Sequence, residues 1–424
     1  MTSRWKASSR MGLLVLVLAL NACGGSDDAA APPAAPTAPS DTVAPFALAG
    51  PYAVGCSNVA QDFNRATGTD DVVAHWEASP TSNGAARNIT DLLVDPANTL
   101  SVSVTTPNDR GLYGAFAARP VASTVLVCYP TATNNPRANY ALPTGETVPH
   151  MQLGAEAPLF ADATARYPVL AFSHGLRGSP LSGDYLPAIK VFASYGYVVV
   201  APFHGDPRFV ALTLSDFGDV LRLLGDLPNF LALQAVRPLT ISAALDLVLT
   251  NPQWRDHVDA TQIGGFGASM GGETMLLLAG AGLTAGTDLS TRQVTVERRI
   301  KAAVGYVPYF GQPALPAFGR DQRGLDSVTL PFLGIGGTAD TTAPLAVTTD
   351  GMGRLAGRRE LVALTGVAHK FDQPSAGDIF TWSLIFLDAE VRGSAASRAT
   401  LSRLRSVTGG GDDRVVIPYN GPAS

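Results

Sequence analysis

The second half of the chain is built from short apolar runs separated by Gly, Pro and helix-like segments, and this rhythm restricts the fold more than any other feature. The runs cover residues 167–173, 197–202 (with three consecutive Val), 261–268, 300–307, 330–335 and 360–364. None shows a sustained in–out alternation, so each reads as a strand buried on both faces. Helical patterns lie between them, as at residues 187–195. Strands alternating with helices predict an α/β fold with a mostly parallel central sheet and helices on both faces. Hydrophobic residues make up 46% of the chain and charged residues 15%, enough to fill such a core and too apolar for wholesale disorder. Residues 50–60 and 121–129 are expected to be earlier strands, with residues 61–120 an insertion between them. Residues 207–250 exceed one crossover helix and are expected to form a partial lid over the strand ends.

The N-terminus follows other rules. Arg4, Lys6 and Arg10 precede an apolar run over residues 11–20, and Leu20-Asn21-Ala22-Cys23 follows. That is the order of a bacterial signal peptide (residues 1–22) ending in a lipobox whose Cys23 takes a lipid. The run is shorter than the ~20 residues that span a bilayer. Residues 23–45, rich in Pro and Ala, are expected to be a flexible tether. The expectation is an exported envelope lipoprotein held to a membrane by its lipid, with plain secretion as the alternative. Lipidation of Cys23 leaves Cys56 and Cys128, the count needed for one disulfide in an oxidising compartment, although two separate buried thiols give the same count. The 46–395 stretch is expected to be the catalytic domain and 396–424 a polar tail.

Gly267-Ala268-Ser269-Met270-Gly271 fits G-x-S-x-G, directly after the 261–268 run and directly before a helical pattern beginning at Gly272. A serine on a sharp strand-to-helix turn needs small neighbours, and its hydroxyl then projects above the sheet. Such a nucleophile is followed along the chain by an acid and then a histidine. Of six histidines, only His369 comes after Ser269, in a loop past the last expected strand. Among the carboxylates between them, Asp340 follows the carboxyl end of the 331–337 strand, where it can reach a histidine on the next loop. Glu273 falls in the first turn of the helix, where a carboxylate stabilises the helix N-terminus. Backbone N–H groups of Met270 and Leu176 are the expected oxyanion donors, the latter from the loop Ser173-His174-Gly175-Leu176. His174 and His204 are expected to be structural. Phe203, Phe209, Phe217, Tyr309, Phe310 and Trp382 could shape specificity or simply fill the core.

The stretch Tyr167-Pro168-Val169-Leu170-Ala171-Phe172-Ser173-His174-Gly175-Leu176, with Ala193-Ser194-Tyr195-Gly196-Tyr197-Val198-Val199-Val200 after it, resembles the platelet-activating-factor acetylhydrolase group. It is similar also to the cutinase-like polyester hydrolases and dienelactone-hydrolase-like proteins. Residues 50–55 and 127–130 resemble that group's first two strands. The likeness spans roughly residues 50–390; it departs at the 61–120 insertion and at Ala268, where many relatives carry His. It implies the α/β-hydrolase fold, a triad of Ser269, Asp340 and His369, and cleavage of carboxylic esters. It also implies side-by-side pairing of the strands that carry Cys56 and Cys128. A serine at the elbow points away from dienelactone hydrolases proper, which use cysteine, and from dehalogenases and epoxide hydrolases, which need a carboxylate.

The expected function is therefore a serine hydrolase acting on carboxylic esters, lipids or polyesters outside the cytoplasm. A serine peptidase or amidase of the same fold is one alternative, and a non-catalytic envelope binding protein is another. The net charge is −5 with no basic stripe, which gives nucleic acid nothing to bind. The sequence holds no metal-ligand cluster, phosphate loop or dinucleotide fingerprint, so no cofactor or metal is expected.

Overall fold

The apolar runs become the middle of a ten-stranded sheet. In the computed structural model, which describes residues 41–210, 226–409 and 411–422, the strands are β1 (Ala53–Cys56), β2 (Ser101–Thr105), β3 (Pro120–Thr131), β4 (Tyr167–Ser173), β5 (Val198–Pro202), β6 (Val258–Ala268), β7 (Ile300–Tyr306), β8 (Phe332–Gly337), β9 (Arg359–Leu364) and β10 (Asp413–Ile417). Their order across the sheet is β10-β9-β8-β7-β6-β4-β5-β3-β1, with β2 also paired to β3. The run β5-β4-β6-β7-β8-β9 is parallel throughout. Antiparallel pairs close both edges: β3 with β5, β1 and β2 on one side, β10 with β9 on the other. The expectation of a mostly parallel α/β sheet holds.

Parallel strands must be covered on both faces, and the side chains divide accordingly. Leu170, Phe172, Val199, Ala201 and Val304 enter one core cluster, with α1 (Thr69–Glu77), α2 (Tyr185–Ser194) and α6 (Ala376–Glu390). Val169, Ala171, Val198, Val200 and Ala303 enter the other, with α3 (Leu227–Thr250), α4 (Met270–Leu278) and α5 (Leu345–Arg354). Consecutive residues of one strand point to opposite faces, so an unbroken apolar run serves two cores at once.

Several expected boundaries change. The proposed lid at 207–250 divides: residues 211–225 lie outside the described residues, whereas 227–250 is the single helix α3. Fourteen of its residues, from Phe230 to Val248, are buried, so this part is a core element and not a lid. It is long and apolar enough to cross a bilayer, but 72% of its apolar window is buried within the protein. The 61–120 insertion supplies α1 and also β2, which pairs with β3 and is part of the sheet. The tail likewise packs. Ser406–Val407 pairs with Thr42–Val43, which takes residues 42–43 out of the expected tether, and β10 completes the sheet. The expected signal peptide, Cys23 and residues 23–40 of the tether lie outside the described residues. Cys56 and Cys128 stand opposite each other in β1 and β3 and are joined as a disulfide.

Candidate active site

Ser269 sits between β6 and α4 with φ 54° and ψ −118°, a region that a residue with a Cβ rarely enters. Such a conformation costs of order 1–3 kcal/mol and survives only where its surroundings fix it. Here the Ser269 N–H donates to the Tyr306 carbonyl (2.9 Å), while its own carbonyl accepts from the N–H groups of Gly272 (2.9 Å) and Tyr309 (3.0 Å). The flanking glycines are required by space. A Cβ on Gly267 would fall 2.1 Å from the Gly271 oxygen, and one on Gly271 would fall 1.9 Å from the Ser173 oxygen. The turn can therefore close against β4 only with glycine at both positions.

Ser269, Asp340 and His369 meet at the carboxyl ends of the parallel strands. His369 Nε2 lies 2.8 Å from Ser269 Oγ, and His369 Nδ1 lies 2.7 Å from Asp340 Oδ2. The second oxygen, Oδ1, accepts the backbone N–H groups of Thr342 (2.9 Å) and Ala343 (2.8 Å). The Asp340 side chain is fully buried, whereas the His369 side chain keeps 22% of its surface open. Such a line of groups can pass a proton from the serine to the imidazole while the carboxylate fixes the ring and its tautomer. The two loops are joined directly: Ala339 N–H donates to Val367 O (3.0 Å) and Gly366 N–H to Thr338 Oγ1 (2.8 Å).

Leu176 and Met270 both face a cavity of about 370 Å³ that also contains Ser269, His369, Tyr185, Tyr309 and Phe371. Among the described residues, neither Leu176 N–H nor Met270 N–H has an acceptor, so both are free to donate into the cavity. The loop that presents Leu176 is held by groups the sequence reading did not single out. Arg237, on α3, donates to the carbonyls of His174 (2.6 Å) and Gly175 (3.0 Å), and pairs with Asp206 through Nε (2.9 Å) and a terminal nitrogen (2.5 Å). Asp206 in turn accepts Arg177 N–H at 2.9 Å. Burial works against its charge, but the Arg237 guanidinium prevails and holds the carboxyl below its ordinary value. A signal for this pair was present: Arg237 is one of two charged residues in a 24-residue apolar helix, and a charge so placed needs a partner.

His174 and His204 are buried and structural. Burial lowers His174 to about 4 and His204 also well below its usual value, so both are neutral rings. His174 Nε2 accepts His204 N–H (3.2 Å), which leaves Nδ1–H to donate to Gly175 O (2.8 Å). Glu273 differs from its expectation. It is 1% exposed and burial pushes its carboxyl up to about 8, so at neutral pH it is mostly protonated and not a helix-stabilising anion. Of the aromatic candidates, Tyr309 lines the cavity. Phe203, Phe209, Phe310 and Trp382 are buried core, and Phe217 lies outside the described residues. Among the described residues no cluster of three His, Cys, Asp or Glu is placed to hold a metal.

Scans of the sequence against protein-family models and against curated proteins find no match.

Proposed function

We propose that the chain is a serine hydrolase of the α/β-hydrolase fold that cleaves carboxylic esters through an acyl-enzyme on Ser269. One observation carries this reading. A strained serine bonded to a histidine, itself bonded to a buried carboxylate, opens on a cavity with two N–H groups that have no acceptor among the described residues. The parallel strand order, the elbow between β6 and α4, and the acid and histidine following in chain order after β8 and β9 support the fold assignment.

In this mechanism His369 Nε2 takes the Ser269 proton as Oγ attacks the acyl carbon. The carbonyl oxygen becomes an oxyanion between Met270 N–H and Leu176 N–H. Collapse breaks the ester C–O bond, and His369 gives its proton to the departing alcohol. Water, deprotonated by His369, then attacks the acyl-enzyme, and the acid leaves as Ser269 Oγ recovers the proton. Export as a lipid-anchored envelope protein belongs to the same proposal, and the disulfide supports an oxidising compartment.

The test is labelling by a fluorophosphonate, with the adduct mapped by peptide mass spectrometry, followed by a panel of p-nitrophenyl esters and p-nitroanilides. An adduct on Ser269 and turnover of esters alone is the expected result. Anilide turnover of similar efficiency would move the assignment to a peptidase or amidase. No adduct and no turnover would move it to a binding protein.

A further inference from the structure

The two N–H groups assigned to the oxyanion come from different parts of the chain. Leu176 belongs to the loop after β4, and Met270 begins α4. Their separation is set by whatever holds loop and helix together, and α3 touches both. Gln234 and Arg237 stand three residues apart on α3, which places them on one helix face, and both are buried. Arg237 takes the carbonyls of His174 and Gly175, immediately before Leu176, and its partner Asp206 takes the N–H of Arg177, immediately after. Gly175 N–H is occupied as well, by the Tyr185 hydroxyl at 3.1 Å. Leu176 is thus bracketed on both sides while its own N–H has no acceptor among the described residues. On the other side, Gln234 Nε2 donates to Glu273 Oε1 at 2.5 Å, three residues along α4 from Met270.

We propose that Gln234 and Arg237 are positioning residues: from one face of α3 they hold the Leu176 loop and the Met270 helix at the spacing a tetrahedral oxyanion requires. The inference rests on the serine-hydrolase reading and deepens it. Neither side chain lies against the reacting atoms, and each acts through the backbone donor it fixes. The cost of the arrangement argues for a purpose beyond stability. A fully buried ion pair is often no more stabilising than well-packed apolar residues of the same volume, whereas a planar guanidinium can fix three acceptors in one geometry. The protonated state of Glu273 fits this role, since an anion in the first turn of α4 would oppose the charge that develops beside Met270.

The experiment compares wild type with Arg237→Lys, which keeps a positive charge beside Asp206 but has no planar fork. Turnover is normalised to active sites titrated with a fluorophosphonate. Affinity for an alkyl trifluoromethyl ketone, whose adduct with Ser269 carries the oxyanion, is measured in parallel. Losing one oxyanion donor outright costs about 10²–10³ in kcat; a displaced donor should cost about 10- to 100-fold, with KM changed by less than about three-fold. Ketone affinity should fall by the same factor as kcat/KM, because both report on the transition state. A merely structural role would lower Tm or the titratable fraction and leave per-site kcat and ketone affinity unchanged, and that result overturns the proposal. Should Arg237→Lys not fold, Gln234→Met is read by the same criteria and decides. Wild type that neither turns over esters nor binds ketone or fluorophosphonate sinks the serine-hydrolase reading itself. Active wild type with unaltered variants sinks only the positioning role.

Discussion

The Tyr306 hydroxyl donates to the Lys370 carbonyl across 2.7 Å, so a residue of β7 holds the loop that carries His369. The same hydroxyl accepts Asp372 N–H at 3.3 Å, and the Tyr306 carbonyl accepts the N–H of Ser269. One residue therefore references the histidine loop to the serine. Tyr306→Phe keeps the ring in place and removes only the hydroxyl. It should cost about 1 kcal/mol of stability and lower kcat several-fold by loosening the imidazole. Thermal melts and ester kinetics on the purified variant check this, and an unchanged kcat would show that the loop needs no such tie.

Asp340→Asn should be far more damaging than its small change of shape suggests. Oδ1 accepts two backbone N–H groups, from Thr342 and Ala343, so the amide of Asn must turn its oxygen to them. Its NH2 then faces His369 Nδ1, which can pair only as an acceptor. The ring proton is forced onto Nε2, and the histidine can no longer take the serine proton. A kcat loss of about 10⁴ is expected, the scale of the same exchange in a Ser-His-Asp triad. Burst kinetics with a p-nitrophenyl ester measure it. Wild-type rates in Asp340→Asn, with loss in Asp321→Asn or Asp350→Asn, would place the acid elsewhere.

The Cys56–Cys128 disulfide closes a sequence separation of 72 residues between β1 and β3. On the chain-entropy model a loop of that size stabilises the fold by about 4 kcal/mol. Both sulfurs lie in one core cluster and neither cysteine lines the Ser269 cavity. The paired Cys56→Ser and Cys128→Ser variant should therefore unfold at lower denaturant concentration while keeping wild-type kcat at moderate temperature. Two free thiols on non-reduced mass spectrometry of protein isolated without reductant would contradict the pairing.

The parts of this structure that were legible in the sequence are those with a local physical signature. The parallel strands showed as apolar runs because both faces are buried. Ser269 showed because its turn excludes a Cβ at Gly267 and Gly271. His369 and Asp340 followed from chain order and from their places at strand ends. What stayed hidden depends on contacts distant in sequence. Phe230 to Val248 read as part of a lid because an apolar helix over strand ends and one packed on a sheet have the same composition. β2 and β10 escaped because edge strands are short and partly exposed: Ser101–Thr105 alternates polar and apolar residues but holds only two apolar ones, and Asp413–Ile417 follows a glycine-rich polar stretch. The role of Arg237 needed Asp206 beside it, thirty-one residues away.

Glu360 supplies the pH prediction. It lies on β9 with no exposed surface, and burial pushes its carboxyl from the ordinary 4.5 up to about 8, with Arg405 offsetting only part of the effect. Between those values the folded protein holds a proton that the unfolded chain has released, so stability must fall as pH rises through this window. Below it both states are protonated and the full stability is present; above it the loss is complete. Every tenfold difference in proton affinity between the folded and unfolded chain is worth about 1.4 kcal/mol, so the effect is large even if relaxation of the site removes half of it. Glu360→Gln removes this titration, leaving the slope from the other carboxyls that burial raises, among them Glu273 (to about 8) and Asp378 (to about 6). Urea unfolding at pH 5 and pH 8.5 should show the variant gaining on wild type at the higher pH, with little or no gain at the lower. An equal difference at both values would mean that Glu360 is ionised in the folded protein throughout, and that a cation reaches it.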